Sequence, residues 1–470
     1  MCTMVFLGVP EQQYNDYGGA EMKRGDKATL VAGLTLVFLL VAGSIVWADT
    51  IELDFWFSAP SRQVEFMEEA VAEYNELNPH VRINLVETPP GYERIATALA
   101  AGMGPDLFWF NQNIPWFFGI ETVYPINDFV KDPEIGVDPE SVFPWAHRSV
   151  HYGGVVQALP VYGYHGTLIY NRQMFAEAGL SDDDAPGTWE EVTELALKFT
   201  EWVEGRPEQW GMTNVSVDWH LQEILLSNSG DWVDDELTRY IDDPAKLIEG
   251  LQWWHDMIHV HEVMPVPRGV TWVGAPYLHA GHESFIQEEA AMAGFVGEIS
   301  FGVHAAATMI AENPDLDLGA VLSPLGPSSD GTRKISTGYG GIHVMADTAD
   351  PLESYLFAKW FFEEKSLDYV LTMPGAVPAN VAGIEHPVYM EDPLVNRQVL
   401  EIGDGILRNF HVFPGRLDVR SEEPTMAESV VLGIATPEEA VETFLQHAEE
   451  VFALYREELD EFKEAHVIVW

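Results

Sequence analysis

The chain has 470 residues, which at roughly 100–200 residues per domain means two to four domains or one large two-lobed body. Hydrophobic residues make up 47% and aromatics 12%, so a sizeable core can be buried and wholesale disorder is excluded. The formal net charge of -51, from 24 basic against 75 acidic residues, repels phosphate backbones and anionic lipid and argues against nucleic-acid or membrane-surface binding.

The chain opens on a targeting pattern. Met22-Lys23-Arg24-Gly25-Asp26-Lys27 is basic, Leu30 to Val46 is an almost unbroken apolar run, and Val46-Trp47-Ala48 has the V-x-A form of a cleavage site. This predicts a secretory signal peptide cut after Ala48, with Met22 a more plausible start than Met1. A single transmembrane anchor is the other reading; the run of 17 residues is at the lower limit for a span, and no basic cluster follows it. A lipoprotein would need Cys after the cut, where Asp49 stands, and the single cysteine, Cys2, lies ahead of it. No disulfide, thiolate metal cluster or cysteine nucleophile is therefore expected. The exported part would carry 21 basic against 71 acidic residues.

Ile51 to Phe57 alternates as a strand does. A helix follows from Ser61, with Val64, Met67, Val71, Tyr74 and Leu77 on its apolar face, and Asn78-Pro79 ends it. Val81 to Val86 is a second strand, Tyr92 to Ala101 a short helix, and Leu107 to Phe110 a third strand. This β-α-β-α-β order predicts a parallel sheet with helices on its faces. Gln157 to Pro160 and Thr167 to Tyr170 read as extended, and Thr188-Trp189-Glu190-Glu191 is a capping box opening a helix to about Glu204. Asp315 to Ser323 reads as a strand, Pro324 to Arg333 as a loop, and Asp350-Pro351-Leu352-Glu353 caps a helix to about Tyr369. One long final helix is expected from near Pro437, burying Val441, Phe444, Leu445, Ala448, Phe452, Tyr455, Leu459 and Phe462.

An ordered series of motifs then resembles the extracellular solute-binding proteins of ABC importers, the sugar-binding group of maltose-binding-protein type. Glu73-Tyr74-Asn75-Glu76-Leu77-Asn78-Pro79 resembles the family's F-x-x-x-N-P before strand two. Ala100-Ala101-Gly102-Met103-Gly104-Pro105-Asp106 resembles its A-G-x-x-P-D. Ala158-Leu159-Pro160, Ile169-Tyr170-Asn171, Phe175-Ala176-Glu177-Ala178-Gly179-Leu180 and the capping box at Thr188 follow in the family's order, as do Ala290-Ala291-Met292 and Pro374-Gly375-Ala376-Val377-Pro378. Many relatives carry Trp after Ala-Met, whereas this loop reads Gly294-Phe295-Val296-Gly297-Glu298. The resemblance implies an α/β fold of the type II periplasmic-binding-protein kind, two lobes joined by hinge crossovers and closing on ligand. By analogy, residues 1–48 are the N-terminal extension and signal peptide, 49–163 and 338–378 one lobe, and 164–337 and 379–470 the other.

A sugar cleft needs flat aromatic faces and planar hydrogen-bonding groups. Candidates stand where strands run into loops, the usual ligand position in open α/β sheets. Trp56 ends the first strand; Trp109, Phe110, Asn111, Gln112 and Asn113 end the third. Tyr162 and Tyr164 sit at the first expected crossover, and Gly338, Tyr339 and Gly340 at the return, where glycine lets backbone approach a ligand. Trp232, Glu298 and Arg416 lie in loops of the other lobe, Arg416 suited to an acidic sugar or to an ion pair. Trp56, Trp109 and Phe110 serve equally well as core and the amides as turn formers, whereas the crossover is expected to place Tyr162 and Tyr339 over the cleft. No cofactor is implied. His255, His259 and His261 are close in sequence, but no His-Glu-x-x-His occurs, and their helix resembles a packing helix of the family.

The expected function is a periplasmic receptor that binds a di- or oligosaccharide as a monomer and delivers it unaltered to an ABC permease. The ligand is expected to be neutral, because the chain has few cations to offer an anion; a cationic ligand in an aromatic cage is the variant the acidity allows. A secreted carbohydrate-active enzyme, a glycosidase or lyase with paired carboxylates, is the alternative. The scarcity of Lys and Arg fits a saline medium, where repulsion between carboxylates is screened. Thermal unfolding should therefore rise in temperature from low to molar salt; a flat or falling midpoint would contradict this reading.

Overall fold

Strand β1 (Ile51–Phe57) turns Leu53, Phe55 and Phe57 into the core and leaves Glu52 and Asp54 exposed, as its alternation predicts. The structure is a computed structural model and describes residues 50–465 except for short stretches, the longest being 267–283, 297–312 and 388–405. The signal segment lies outside the described residues. Helix α1 (Ser61–Leu77) packs Val64, Met67, Val71 and Tyr74 against the sheet. Leu77, expected on that stripe, is 62% exposed. The helix stops there because Asn78 caps it, its backbone and side-chain N–H groups both donating to Tyr74 O at 2.9 and 3.0 Å.

Strand β2 (Val81–Glu87) pairs parallel with β1 on one side, and after α2 (Glu93–Ala100) strand β3 (Leu107–Phe110) pairs parallel on the other. A short helix α3 (Pro144–Ser149) precedes strand β4 (Ala158–His165). One residue later β5 (Thr167–Asn171) begins, in a different sheet. Helix α4 (Trp189–Phe199) opens on the predicted capping box, Thr188 Oγ1 accepting from Glu191 N while the Glu191 carboxylate accepts from Thr188 N. It ends well short of Glu204. Glu204 and Gly205, at φ 51° and 77°, instead close a hairpin between β6 (Glu201–Val203) and β7 (Arg206–Asn214). Helices α5 (Val217–Ser227) and α6 (Pro244–His259) follow, then β8 (Ala290–Val296) and β9 (Leu318–Leu322).

The chain returns to the first sheet in the long strand β10 (Lys334–Val344), antiparallel to both β3 and β4. Helix α7 (Pro351–Trp360), a π-helical turn at Phe361–Lys365 and α8 (Ser366–Val370) cover the sheet, and β11 (Val377–Pro378) joins its edge. Strand β12 (Ile406–Asn409) pairs with the start of β10. The last elements are α9 (Arg416–Arg420), α10 (Glu423–Val431), α11 (Pro437–Leu454) and α12 (Arg456–Ala465). The single final helix expected is thus two, broken at Tyr455, whose ring lies over Gly415 and whose hydroxyl donates to Asp418 Oδ2 at 2.7 Å.

Among the described residues there are two main sheets, ordered β11–β4–β10–β3–β1–β2, with β12 on β10, and β9–β5–β8–β7–β6. Each has its own core. Phe55, Phe57, Trp109, Tyr162, Tyr355 and Phe361 belong to the first; Leu168, Trp189, Leu221, Trp254, Val430 and Phe444 to the second. The fold is the two-lobed α/β type II arrangement.

Asp106 shows how one motif residue serves the fold. Its carboxylate accepts from Asp54 N (2.8 Å), Ala349 N (2.6 Å) and Thr348 Oγ1 (3.0 Å), and its backbone bonds Asp54 and Met345. It ties β1, β3 and the turn after β10 together. Replacing Asp106 by Ala should cost about 2–3 kcal/mol in denaturant unfolding, since hydrogen bonds to a charged acceptor are lost together.

Candidate functional site

The side chains predicted at the C-terminal ends of β1 and β3, on the crossing strands β4 and β10 and in the second lobe divide into two groups. The larger group is interior. Trp109 is buried, with its ring 5.3 Å from Phe57 and 4.8 Å from Tyr369 and stacked on Tyr162 at 6.3 Å. Phe110 points to the opposite face of β3 and is buried against Phe108, Ile95 and Ile114. Both faces of this central strand are covered, so standing at a strand end did not expose either ring.

Tyr162 and Tyr339 are likewise core residues. Burial pushes both phenols up from their ordinary pKa, and Tyr339 Oη bonds His343 Nε2 at 3.0 Å. The crossover glycines have a different purpose from the one expected. A Cβ on Gly340 would collide with the Tyr162 ring, and one on Gly163 with the Trp145 ring. These glycines make room for the protein's own aromatics. Gly338 is buried in β10, paired with Tyr164 of β4.

In the second lobe Trp232 is 1% exposed, with the Arg416 guanidinium 5.3 Å over its ring. Arg416 is itself 1% exposed and pairs with Glu423 at 2.6 Å. Glu423, fully buried, also accepts from Tyr240 Oη at 2.5 Å and Gln222 Nε2 at 2.8 Å, and Arg416 reaches the Tyr240 hydroxyl. Of the two roles open to Arg416, the structure gives it the internal ion pair, tying α9 and α10 to α5.

The second group stands nearer the solvent. Trp56 is half-buried at the end of β1, with Arg94 of α2 lying 4.8 Å from its ring centroid. Arg94 is exposed and was not singled out in the sequence; its only signal was its place at the start of a helix, just after the strand-two loop. A guanidinium lying over an indole combines hydrogen-bond donors with apolar surface, the two features that a sugar's hydroxyl rim and C–H face require. The backbone of Tyr164 lies in β4; Asn111, Asn113 and Glu298 lie outside the described residues.

Across the crossing, α5 carries polar side chains that its apolar pattern concealed. His220 is buried with its ring 4.2 Å from Trp254, and desolvation lowers its pKa to about 3, so it is neutral at physiological pH. His255 and His259 lie 4.7 Å apart on α6 with their rings tilted by 40°; His259 Nε2 meets Val431 O and His255 Nδ1 meets Asp256. Among the described residues no group of three His, Cys, Asp or Glu is placed to hold a metal ion, and no helix is long and apolar enough to cross a membrane.

Comparison with known proteins fits this architecture. The chain is similar to an arabinooligosaccharide-binding protein of Halalkalibacterium halodurans, 28% identical over 354 residues, covering 73% of this chain and 74% of the relative. It is also similar to a maltotriose-binding protein of Pyrococcus abyssi, 22% identical over 346 residues, covering 72% of this chain and 69% of the relative. Among solved structures, the cyclic α-maltosyl-1,6-maltose binding protein of Arthrobacter globiformis superposes with a TM-score of 0.68 at 18% identity, covering 86% of this chain and 99% of that one. The family profile described as bacterial extracellular solute-binding protein matches residues 59–367. With most of its length matched, the chain belongs to the bacterial extracellular solute-binding protein family.

Proposed function

We propose that this protein is the exported receptor of an ABC importer, that it takes a di- or oligosaccharide between its lobes, and that it passes the sugar unchanged to a membrane permease. The observation that carries the reading is the family match over residues 59–367, together with relatives named for oligosaccharides. The Trp56–Arg94 pair supports it from the structure, as a platform at the strand-end edge where such folds bind ligand. The family is one of solute-binding proteins and lends no support to the enzyme reading.

The finer assignments are ours. The signal peptide is removed after Ala48 and no lipid anchor is added, because Asp49 offers no thiol. The receptor works as a monomer. Its lobes comprise about 49–163 with 338–378, and 164–337 with 379–470, the strand ends moving the first boundary to Gly166 and the return to Lys334. Ligand contacts fall on Trp56, Asn111, Asn113, Tyr164, Glu298 and the backbone near Gly338, with Arg94 beside Trp56. The ligand is neutral: Arg416 is committed to Glu423, and an anion would need several clustered cations.

A thermal-shift screen against arabinotriose, maltotriose, mannobiose and cyclic maltosyl-maltose tests the proposal. A true ligand at about a hundred times its Kd stabilises the protein by about 2.7 kcal/mol. Trp56→Ala should weaken that ligand about tenfold, the scale of one aromatic stacking contact, and should reduce the change in tryptophan fluorescence on binding. No shift with any sugar, with the protein folded, would refute the sugar assignment.

A further inference from the structure

Gly166 is the whole of the first crossing between lobes: β4 ends at His165 in one sheet and β5 begins at Thr167 in the other. Ser323 opens the second crossing, directly after β9 ends at Leu322. The two crossings touch, Ser323 N donating to Gly166 O at 3.3 Å. Glu223 of α5 lies against both. Its Oε2 accepts from Ser323 Oγ at 2.6 Å, and a Cβ built on Gly166 would fall inside its carboxyl group. Glu223 is fully buried, among the apolar neighbours Leu221, Ile224 and Leu225 of the same helix. An apolar side chain would be cheaper to bury there, because a carboxyl taken from water must be compensated by hydrogen bonds. The group is therefore explained by what it holds.

Lobe rotation in a hinged protein is absorbed by a few backbone torsions at the crossings. A side chain bonded to one crossing and packed against the other constrains those torsions together. We propose that Glu223 is the positioning residue of the hinge: its buried carboxyl, bonded to Ser323 of the second crossing and packed on Gly166 of the first, holds the two crossings together and so sets the angle from which the lobes close. It acts on ligand only through the closing equilibrium, and any change in the balance of lobe states passes into apparent affinity by the same factor. That affinity arm rests on the receptor reading above; the hinge arm does not.

The test combines Gly166→Ala and Glu223→Ala, singly and together, in a Cys2→Ser background. Spin labels at Glu68→Cys on α1 and Glu190→Cys on α4, both exposed, report interlobe distance. Gly166→Ala, whose methyl displaces the carboxyl, should shift or broaden the distance distribution without sugar and weaken maltotriose binding about five- to tenfold, a typical coupling between distant sites. Added to Glu223→Ala, the same methyl no longer meets the carboxyl and should change affinity less than about twofold. Ser323→Ala removes the donor, leaves the carboxyl in place, and should shift the distances in the same sense; it keeps the test open if Glu223→Ala does not fold. Equal effects of Gly166→Ala in both backgrounds, or distances unmoved by Glu223→Ala and Ser323→Ala, would overturn the proposal. If distances move as expected but maltotriose does not bind, the hinge assignment stands and the choice of sugar fails on its own.

Discussion

A chain that builds two cores must cross between them, and the way it crosses constrains everything else. Here the crossing strands β4 and β10 are antiparallel neighbours in one sheet, with a register shift between Gly340 and Gly341. Close packing of large rings onto that pair is possible only because glycines lie under them. Trp145 covers Gly163 and Tyr162 covers Gly340, and Trp109 and Tyr369 continue the aromatic layer inward. The lobe next to the hinge is thus rigid up to the last residues of β4. The first crossing is a single residue, and a longer one begins at Ser323. A rigid lobe and a short crossing are what a closing cleft needs, since a small torsion change then swings a whole body.

The elements with strong local signals were legible in the sequence. The alternation of Ile51–Phe57, the four apolar residues of Leu107–Phe110 and the capping box at Thr188 each depend on residues within one element, and each stands where the pattern put it. The boundaries that failed are those fixed by distant partners. The last long helix breaks at Tyr455 because Gly415 and Asp418, far off in sequence, receive its ring and hydroxyl. Helix α4 stops early because Thr200 and Gly211 bond across the hairpin, Gly211 N donating to Thr200 Oγ1 at 3.0 Å.

Ring positions were harder to read for a related reason. A tryptophan at the end of a strand is exposed or interior according to what covers that face, and coverage comes from elsewhere in the chain. Trp56 and Trp109 end adjacent parallel strands and look alike in sequence. Trp109 meets α8 through Tyr369, whereas Trp56 meets α2 and the side chain of Arg94. Glycines at the return crossing had the same ambiguity: the absence of a side chain makes room, but the sequence does not say for what. Buried polar groups were the least legible. Glu223, Glu423 and Arg416 occupy interior positions by virtue of bonds to residues about 100, 200 and 7 positions away, and only the last spacing is local enough to suggest itself.

The charge imbalance and the hinge are physically linked. Arg416 and Arg420 are buried, but so are Glu223, Asp231 and Glu423, so among the described residues burial leaves the acidic excess at the surface. Carboxylates lie on the outer helices of both lobes, among them Glu68 and Glu69 on α1 and Glu190 on α4. Closing the cleft brings two negatively charged bodies together, and the cost depends on how far their fields reach. At an ionic strength near 0.1 M the screening length is about 10 Å; at 1 M it is about 3 Å. Salt is therefore expected to act on the closing equilibrium as well as on unfolding. It favours the closed form by removing a repulsion that opposes ligand capture, whereas the clamp on Gly166 and Ser323 is buried and is screened far less. The angle of approach is then set by local bonding at the crossings, and the ease of closure by the medium.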